Sequence, residues 1–376
     1  MRTWTASVRA SRGEIRRHTS HHTPDHTQSI SGTPGLHTTG GPEGMTVKII
    51  AIEEHWNSVT IREALDRLPD GARDDSVIFN TMGDNQARLE DIGQGRIEAM
   101  DAAGIDISVL SVVTPATQAL PAREAIVLAR DANDEAADAV RAHPDRFRAF
   151  ATLPTGDPQA AAAELERCAT RLGHVGTMVF GRTGNRMLDD PAYDDLLATA
   201  ARLHQPVFLH PQIASNELRD AAYRGLGPQI GLALASFGWG WHMDAGLAAL
   251  RLILRGTFDR HPGLQLVLGH WGEMLLFWMD RIEGLSHVAT HLERRVSDYI
   301  QTNIHITCSG MLQERLLRHT LDFTGADRVL FSTDYPFHRP GAAAVGQFFD
   351  AVPSPADRAR IASGNAEALF RLGEVR

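Results

Sequence analysis

Residues 47–58 read VKIIAIEEHWNS, and the fold turns on how this stretch is read. VKIIAIE (47–53) is apolar and β-branched, the composition of a buried strand. The turn after it carries EEHWNS, where a doubly wound dinucleotide-binding sheet would place a glycine-rich phosphate turn. An open sheet of that kind is therefore disfavoured. Along an extended strand, side chains two residues apart share a face, so Glu53 and His55 can reach one ion while Glu54 points away. A carboxylate ending so apolar a strand would be costly to desolvate without a cation.

Working outward, seven more β-branched runs follow: IDISVLSVV (105–113), RFRAFATL (146–153), HVGTMVF (174–180), PVFLH (206–210), LQLVLGH (264–270), NIHITCS (303–309) and RVLFSTD (328–334). Between them lie stretches such as AREAIVLARDANDEAADAVRAHP (122–144) and PQAAAAELERCATRLG (158–173), whose Ala, Leu, Glu and Arg favour helix and whose Pro or Gly ends it. Strand then helix, eight times over, predicts a (β/α)8 TIM barrel with chemistry at the C-terminal ends of its strands. Two long connections, residues 56–86 after strand one and 211–242 after strand five, are expected to cover the mouth.

Strand ends are where the reactive side chains fall. His210 ends PVFLH, Asp334 ends RVLFSTD, and His270 with Glu273 follows LQLVL in LQLVLGHWGE. Taken singly each has a plainer reading: Asp334 could cap a turn, His210 could be a hydrogen-bonded core imidazole, and Glu273 could face a helix N-terminus. Together, Glu53, His55, His210 and Asp334 form a nitrogen and oxygen set that suits one Zn2+ or Mn2+ ion and leaves a position open for water or substrate. Trp239, Trp241 and His242, in GWGWHMD, are expected either to line a substrate pocket or to pack the lid.

Composition narrows the function. The 376 residues are 43% hydrophobic and 22% charged, an ordinary globular balance, with a formal net charge of −9. That charge offers no long-range attraction for nucleic acid or anionic lipid, and no apolar run is long enough to span a membrane. The expectation is a cytoplasmic enzyme with a small-molecule substrate. Cys168 and Cys308 lack the clustered spacing of a disulfide framework or thiolate zinc site, and are expected to be reduced core residues. Residues 1–45 are rich in Arg, Thr, Ser, His and Gly without periodicity, which predicts a disordered tail or a start assigned too early, with Met45 as the working start of a catalytic domain over 46–376.

With these residues in view, the chain resembles the amidohydrolase-2 branch of the amidohydrolase superfamily. Within it, the resemblance is to metal-dependent nonoxidative decarboxylases acting on γ-resorcylate, 5-carboxyvanillate and, more distantly, aminocarboxymuconate semialdehyde. It runs collinearly through EEH (53–55), RIEAMDAAGID (96–106), HPDRFRAFATLP (143–154), FLHP (208–211), GTFDRHPGLQLVLGHWGE (256–273), ITCSG (306–310), DRVLFSTDYPF (327–337) and NAEALFRL (365–372). The resemblance implies that Glu53, His55, His210 and Asp334 ligate the metal and that His270 and Glu273 form a catalytic pair beside it. Asp334 would also carry the proton to the ring carbon bearing the carboxylate. Arg281, expected on a helix beginning near Gly272, would hold the substrate carboxylate near a subunit interface, which implies a homodimer or homotetramer. The implied substrate is a hydroxylated aromatic carboxylic acid.

Two departures leave other readings open. Asp244 and Ala248 stand where relatives commonly carry Glu and His, and the stretch from Ser76 to Gln86 lacks an arginine that the carboxyvanillate enzymes use. A metal-dependent hydrolase or hydratase acting on a lactone, amide or enoic acid, and a non-catalytic metal-binding paralogue, are the alternatives. Lysine Schiff-base and pyridoxal chemistry are disfavoured, because Lys48 is the sole lysine and precedes the first strand-end ligands.

Overall fold

The structure is a computed structural model, and it describes residues 47–69 and 71–373. The expected tail over residues 1–45 lies outside the described residues. All eight predicted strands form. They are β1 (Ile50–Trp56), β2 (Ile107–Val112), β3 (Phe147–Ala151), β4 (Gly176–Phe180), β5 (Val207–His210), β6 (Leu266–Leu268), β7 (Ile304–Thr307) and β8 (Val329–Leu330). Consecutive strands pair in parallel from β1 to β8. The first and last meet as well, through Ile52 N to Phe331 O (3.2 Å) and His55 N to Tyr335 O (2.8 Å). The sheet therefore closes into a barrel.

Strands buried on both faces need two apolar layers, and the chain supplies them. Ile50, Ile52, Ile107, Val109, Phe208 and Val267 fill the barrel, whose floor is closed by Ala366 and Phe370 of the last helix, Asn365–Phe370. Ala51, Leu110, Phe147 and Ala149 face outward against the helices. The longest helix, Ala122–Ala142, buries Ala125, Ala129, Ala132 and Ala136, three or four residues apart. That stripe of small side chains faces the barrel core while the charged residues between them face out.

Strict alternation along β1 would send Ile50 and Ile52 inward with Glu54, and Glu53 outward. The strand avoids this with a bulge: from Ala51 to Glu54 it advances three residues while β2 advances two, from Ser108 to Leu110. Below the bulge the isoleucines fill the core, and above it Glu53 and His55 face the mouth. Glu54 turns the other way, accepting from Thr333 N (2.9 Å) and Thr333 Oγ1 (2.7 Å), so it braces the closure of β1 against the end of β8.

The two long connections do meet over the mouth. The one after β1 carries the helix Val59–Asp66 and a 3-10 turn over Asp75–Thr81, and the one after β5 carries the helices Asn216–Ala222 and Pro228–Ala235. Arg219 pairs with Asp75, and Phe79 packs edge-on against Phe237 (5.3 Å) and Trp241 (6.0 Å). One local expectation is corrected. No helix begins near Gly272, because residues 270–274 all have positive φ, between 47° and 84°. A 3-10 turn over Leu276–Trp278 follows, and only then the short helix Met279–Ile282 that bears Arg281.

Candidate active site

Glu53 and His55 from β1 and His210 from the end of β5 present ligand atoms within 4.8 Å of one another, all buried. Each is held from behind. Glu53 Oε2 accepts from Ser309 Oγ, and from Thr307 Oγ1 and Ser332 Oγ at 3.3 Å each. His210 Nδ1 donates to the Pro211 carbonyl (2.7 Å), which leaves Nε2 with its lone pair 3.6 Å from Glu53 Oε1. His55 uses Nδ1 on Ser111 Oγ (3.2 Å), while its Nε2 lies 3.2 Å from Asp334 Oδ1.

Those front atoms are close without being bonded to each other. Glu53 Oε1 and His55 Nε2 are buried and have no hydrogen-bond partner among the described residues. Buried polar atoms are ordinarily paired, so converging unpaired front atoms, with the His210 tautomer fixed from behind by the Pro211 carbonyl, are the arrangement a cation requires. Electrostatics agrees. Burial lifts the Glu53 carboxyl to about 8 and holds the His55 imidazole down at about 3, with His210 also well below its ordinary value. Burial raises Asp334 too. A divalent ion would favour the ionised carboxylates and the neutral imidazoles. The residues present therefore fit a hard or borderline divalent metal.

Beside this cluster, His270 Nδ1 lies 2.8 Å from Glu273 Oε1. Burial alone would lower the His270 imidazole, but the charge and hydrogen bond of Glu273, with Glu53 and Asp334 beyond, outweigh it and hold it up at about 10. Burial alone would raise Glu273, but His270 and the hydrogen bonds it shares with His242 and His270 bring it down to about 2. The two shifts favour an imidazolium–carboxylate pair through the contact between them. The left-handed turn aims both side chains at each other. Gly269, just before it, is equally constrained: a Cβ there would stand 2.8 Å from Ser309 Oγ and 3.3 Å from carboxylate oxygens of both Glu53 and Glu273.

The sequence reading missed these supports. Thr307 and Ser309, two apart at the end of β7, carried a period-2 hint, but hydroxyls on a strand are too common to single out. His242, expected as a pocket or lid residue, has its Nδ1 2.7 Å from Glu273 Oε2 and its Nε2 3.1 Å from the Phe237 carbonyl, so it ties Glu273 to the covering loop. Trp241 packs on Phe79, whereas Trp239 and Arg281 are exposed, and no hydrogen bond or ion pair among the described residues joins either side chain to the cluster. Ala248 lies against Gly181, just past β4: a Cβ added to that glycine would come within 2.6 Å of the Ala248 Cβ, so the close approach of helix Gly240–Leu254 rests on the glycine. Asp244, on the same helix, is half-buried, and desolvation raises its carboxyl against the lowering charge of Arg182.

Comparison with known proteins places this geometry. Residues 44–372 match the amidohydrolase family model. The γ-resorcylate decarboxylase of Rhodococcus jostii is 40% identical over 347 residues, spanning 86% of this chain and 98% of that one. A solved dihydroxybenzoic acid decarboxylase from Polaromonas, with bound manganese and the inhibitor 2-nitroresorcinol, superposes with a TM-score of 0.73 at 34% identity over 87% of this chain and 98% of that one. The 5-carboxyvanillate decarboxylase of Novosphingobium aromaticivorans, complexed with manganese and 4-hydroxy-3-methoxy-5-nitrobenzoic acid, reaches 0.79 at 30% identity over 89% and 98%.

Proposed function

Because this chain belongs to the amidohydrolase family, we propose that it is a metal-dependent nonoxidative decarboxylase of a hydroxylated aromatic carboxylic acid. The observation that carries the reading is the pairing of two sites: converging unpaired front atoms of Glu53 and His55, with His210 and Asp334, beside the His270–Glu273 ion pair. Glu53, His55, His210 and Asp334 would hold one divalent ion, with Mn2+ favoured by the manganese in the related structures. When bound, that ion supplies an anchor for an ortho hydroxyl and favours its ionised form.

The chain's own groups then account for the proton and the charge. Asp334, whose protonated form burial favours, takes up the proton that the ortho hydroxyl gives up and passes it from Oδ to the ring carbon that bears the carboxylate. The bond from that carbon to the carboxylate then breaks, its electron pair restores the aromatic ring, and CO2 leaves. His270, tied by Nδ1 to Glu273, directs its positive charge at the anionic substrate, and His242 fixes Glu273 from the far side. The covering loops meet over the mouth through Phe79, Phe237 and Trp241.

Assembly completes the reading. Phe277, Trp278 and Val288 flank Arg281 and are 72%, 53% and 76% exposed, an apolar face that supports a homodimer or larger with Arg281 near the contact and near a substrate carboxylate. The catalytic domain is taken as residues 46–376. Among the described residues no helix is long and apolar enough to cross a membrane, which fits a cytoplasmic location. The deciding experiment is incubation with Mn2+ or Zn2+ and a panel of ortho-hydroxybenzoates. Stoichiometric release of CO2 and the phenol is expected; hydrolysed or hydrated products, or binding without turnover, would reject the reading.

A further inference from the structure

Arg96 stands on the inward face of the helix Gln94–Ala103, which leads into β2 and buries Ile97, Met100 and Ala103 on that same face. An arginine in such a stripe is out of place on hydropathy alone. It is 1% exposed, and burial brings its guanidinium down to about 10 against the opposing influence of Tyr335, Glu54 and Asp91, so it is a cation at neutral pH. Its Nη1 has no hydrogen-bond partner among the described residues. A buried charge so incompletely paired costs the fold free energy that an apolar side chain in its place would not.

What the guanidinium touches gives it a use. Nη2 donates to the carbonyls of His55 (2.6 Å) and Arg88 (3.2 Å), and Nε to the carbonyl of Asp91 (3.3 Å). Its Cζ stands 4.4 Å from the centre of the Tyr335 ring, a cation–π contact away from water. His55 Nε2 and Asp334 Oδ1 face each other, 3.2 Å apart, where β1 meets the end of β8. Arg96 grips the backbone of the first and the residue after the second. Glu54 does the complementary task by accepting from Thr333 N and Oγ1, which holds the residue before Asp334. Asp334 itself has a φ of 59°, a conformation that a non-glycine residue keeps only where its surroundings impose it.

We propose that Arg96 is a positioning residue for the metal: through the His55 carbonyl and the Tyr335 ring it fixes the separation of His55 Nε2 from Asp334 Oδ1, and so sets the affinity for the ion. The inference rests on the metal site proposed above and adds a residue that touches neither ion nor substrate. Lysine would be a poor replacement, because a compact ammonium on a flexible stem offers no planar face to the ring and no fixed fork to the carbonyls.

Isothermal titration of the metal-free protein with Mn2+ tests this. Groups that orient metal ligands from behind change affinity about 10–100-fold when lost, so Arg96→Lys should raise the Kd for Mn2+ by about tenfold or more while the metal-free variant still melts cooperatively. An arginine serving only the fold would lower the melting temperature and leave the Mn2+ Kd of the folded protein where it was, and that result would overturn the proposal. Tyr335→Leu, which removes the ring, should weaken Mn2+ binding more than Tyr335→Phe, which keeps it. This comparison decides the matter if the lysine variant does not fold, and equal affinities in the two tyrosine variants would overturn the proposal. Failure of the wild type to bind Mn2+ at all would reject the metal site itself, and the inference with it.

Discussion

Gly269 shows how little room surrounds the chemistry. A methyl group there would press on Ser309 Oγ and on the carboxylates of Glu53 and Glu273 together, so Gly269→Ala is expected to keep the fold and lower turnover roughly 10²-fold, since displacements near 1 Å cost that much; circular dichroism with steady-state kinetics checks both halves. His210→Ala and Asp334→Asn should also fold, because residues at strand C-termini serve chemistry more than stability. Metal analysis should find His210→Ala depleted, and neither variant should keep wild-type turnover. Which of these residues could be read from sequence depended on chemical rarity. An acid or imidazole ending an apolar strand stands out, so Glu53, His55, His210 and Asp334 are legible in the sequence. Ser309, Ser332 and Gly269 are not, since their roles rest on approach distances between strands far apart in the chain.

The strands were legible because each is a short β-branched run bounded by turn residues, yet β1 runs to Trp56, beyond the expected end at Glu53. Its bulge lay outside any reading by alternation, since it depends on how β1 pairs with β2. The left-handed turn over 270–274 was hidden for a similar reason: only one of its residues is glycine, and the hydrogen bonds from Ser309 Oγ to Glu53 and from His270 N to Ser309 Oγ fix its entry. Downstream of that turn, Arg281→Lys should lower turnover of carboxylated substrates at normal metal content, because a planar fork grips a carboxylate in a way an ammonium cannot. Unchanged kinetics would remove Arg281 from the site, and a fully active monomer in sedimentation would remove the interface. Next to β7, burial pushes the Cys308 thiol up to about 12, so native protein at pH 8 should resist thiol reagents that react readily once it is unfolded.

Across the whole molecule, several histidines are buried in neutral form: His55 and His305 are held down at about 3 and His174 at about 4, in each case first by burial. Unfolded, they would take up protons near 6.5. Between pH 6.5 and about 3 each of these imidazoles is therefore protonated only in the unfolded chain and lowers stability as pH falls, by on the order of 1.4 kcal/mol per pH unit, while Glu53 and Glu54, held up at about 8 and 7 by burial, act in the opposite sense in metal-free protein. The change in urea midpoint from pH 7 to pH 5 should be less destabilising in His305→Gln than in the wild type; an equal change would mean that this imidazole is not buried neutral. Deleting residues 1–44 should leave turnover and melting temperature unchanged, since their composition offers no apolar face to bury. The closure of β1 on β8 has a consequence for biosynthesis. Glu53 takes hydrogen bonds from a hydroxyl 279 residues later in the chain, and Asp334 follows that residue by two. During translation Glu53 and His55 emerge long before Asp334, so a nascent chain that stops short of Asp334 cannot complete the proposed cage: a fragment ending at residue 325 should retain no ion through dialysis that the full chain survives.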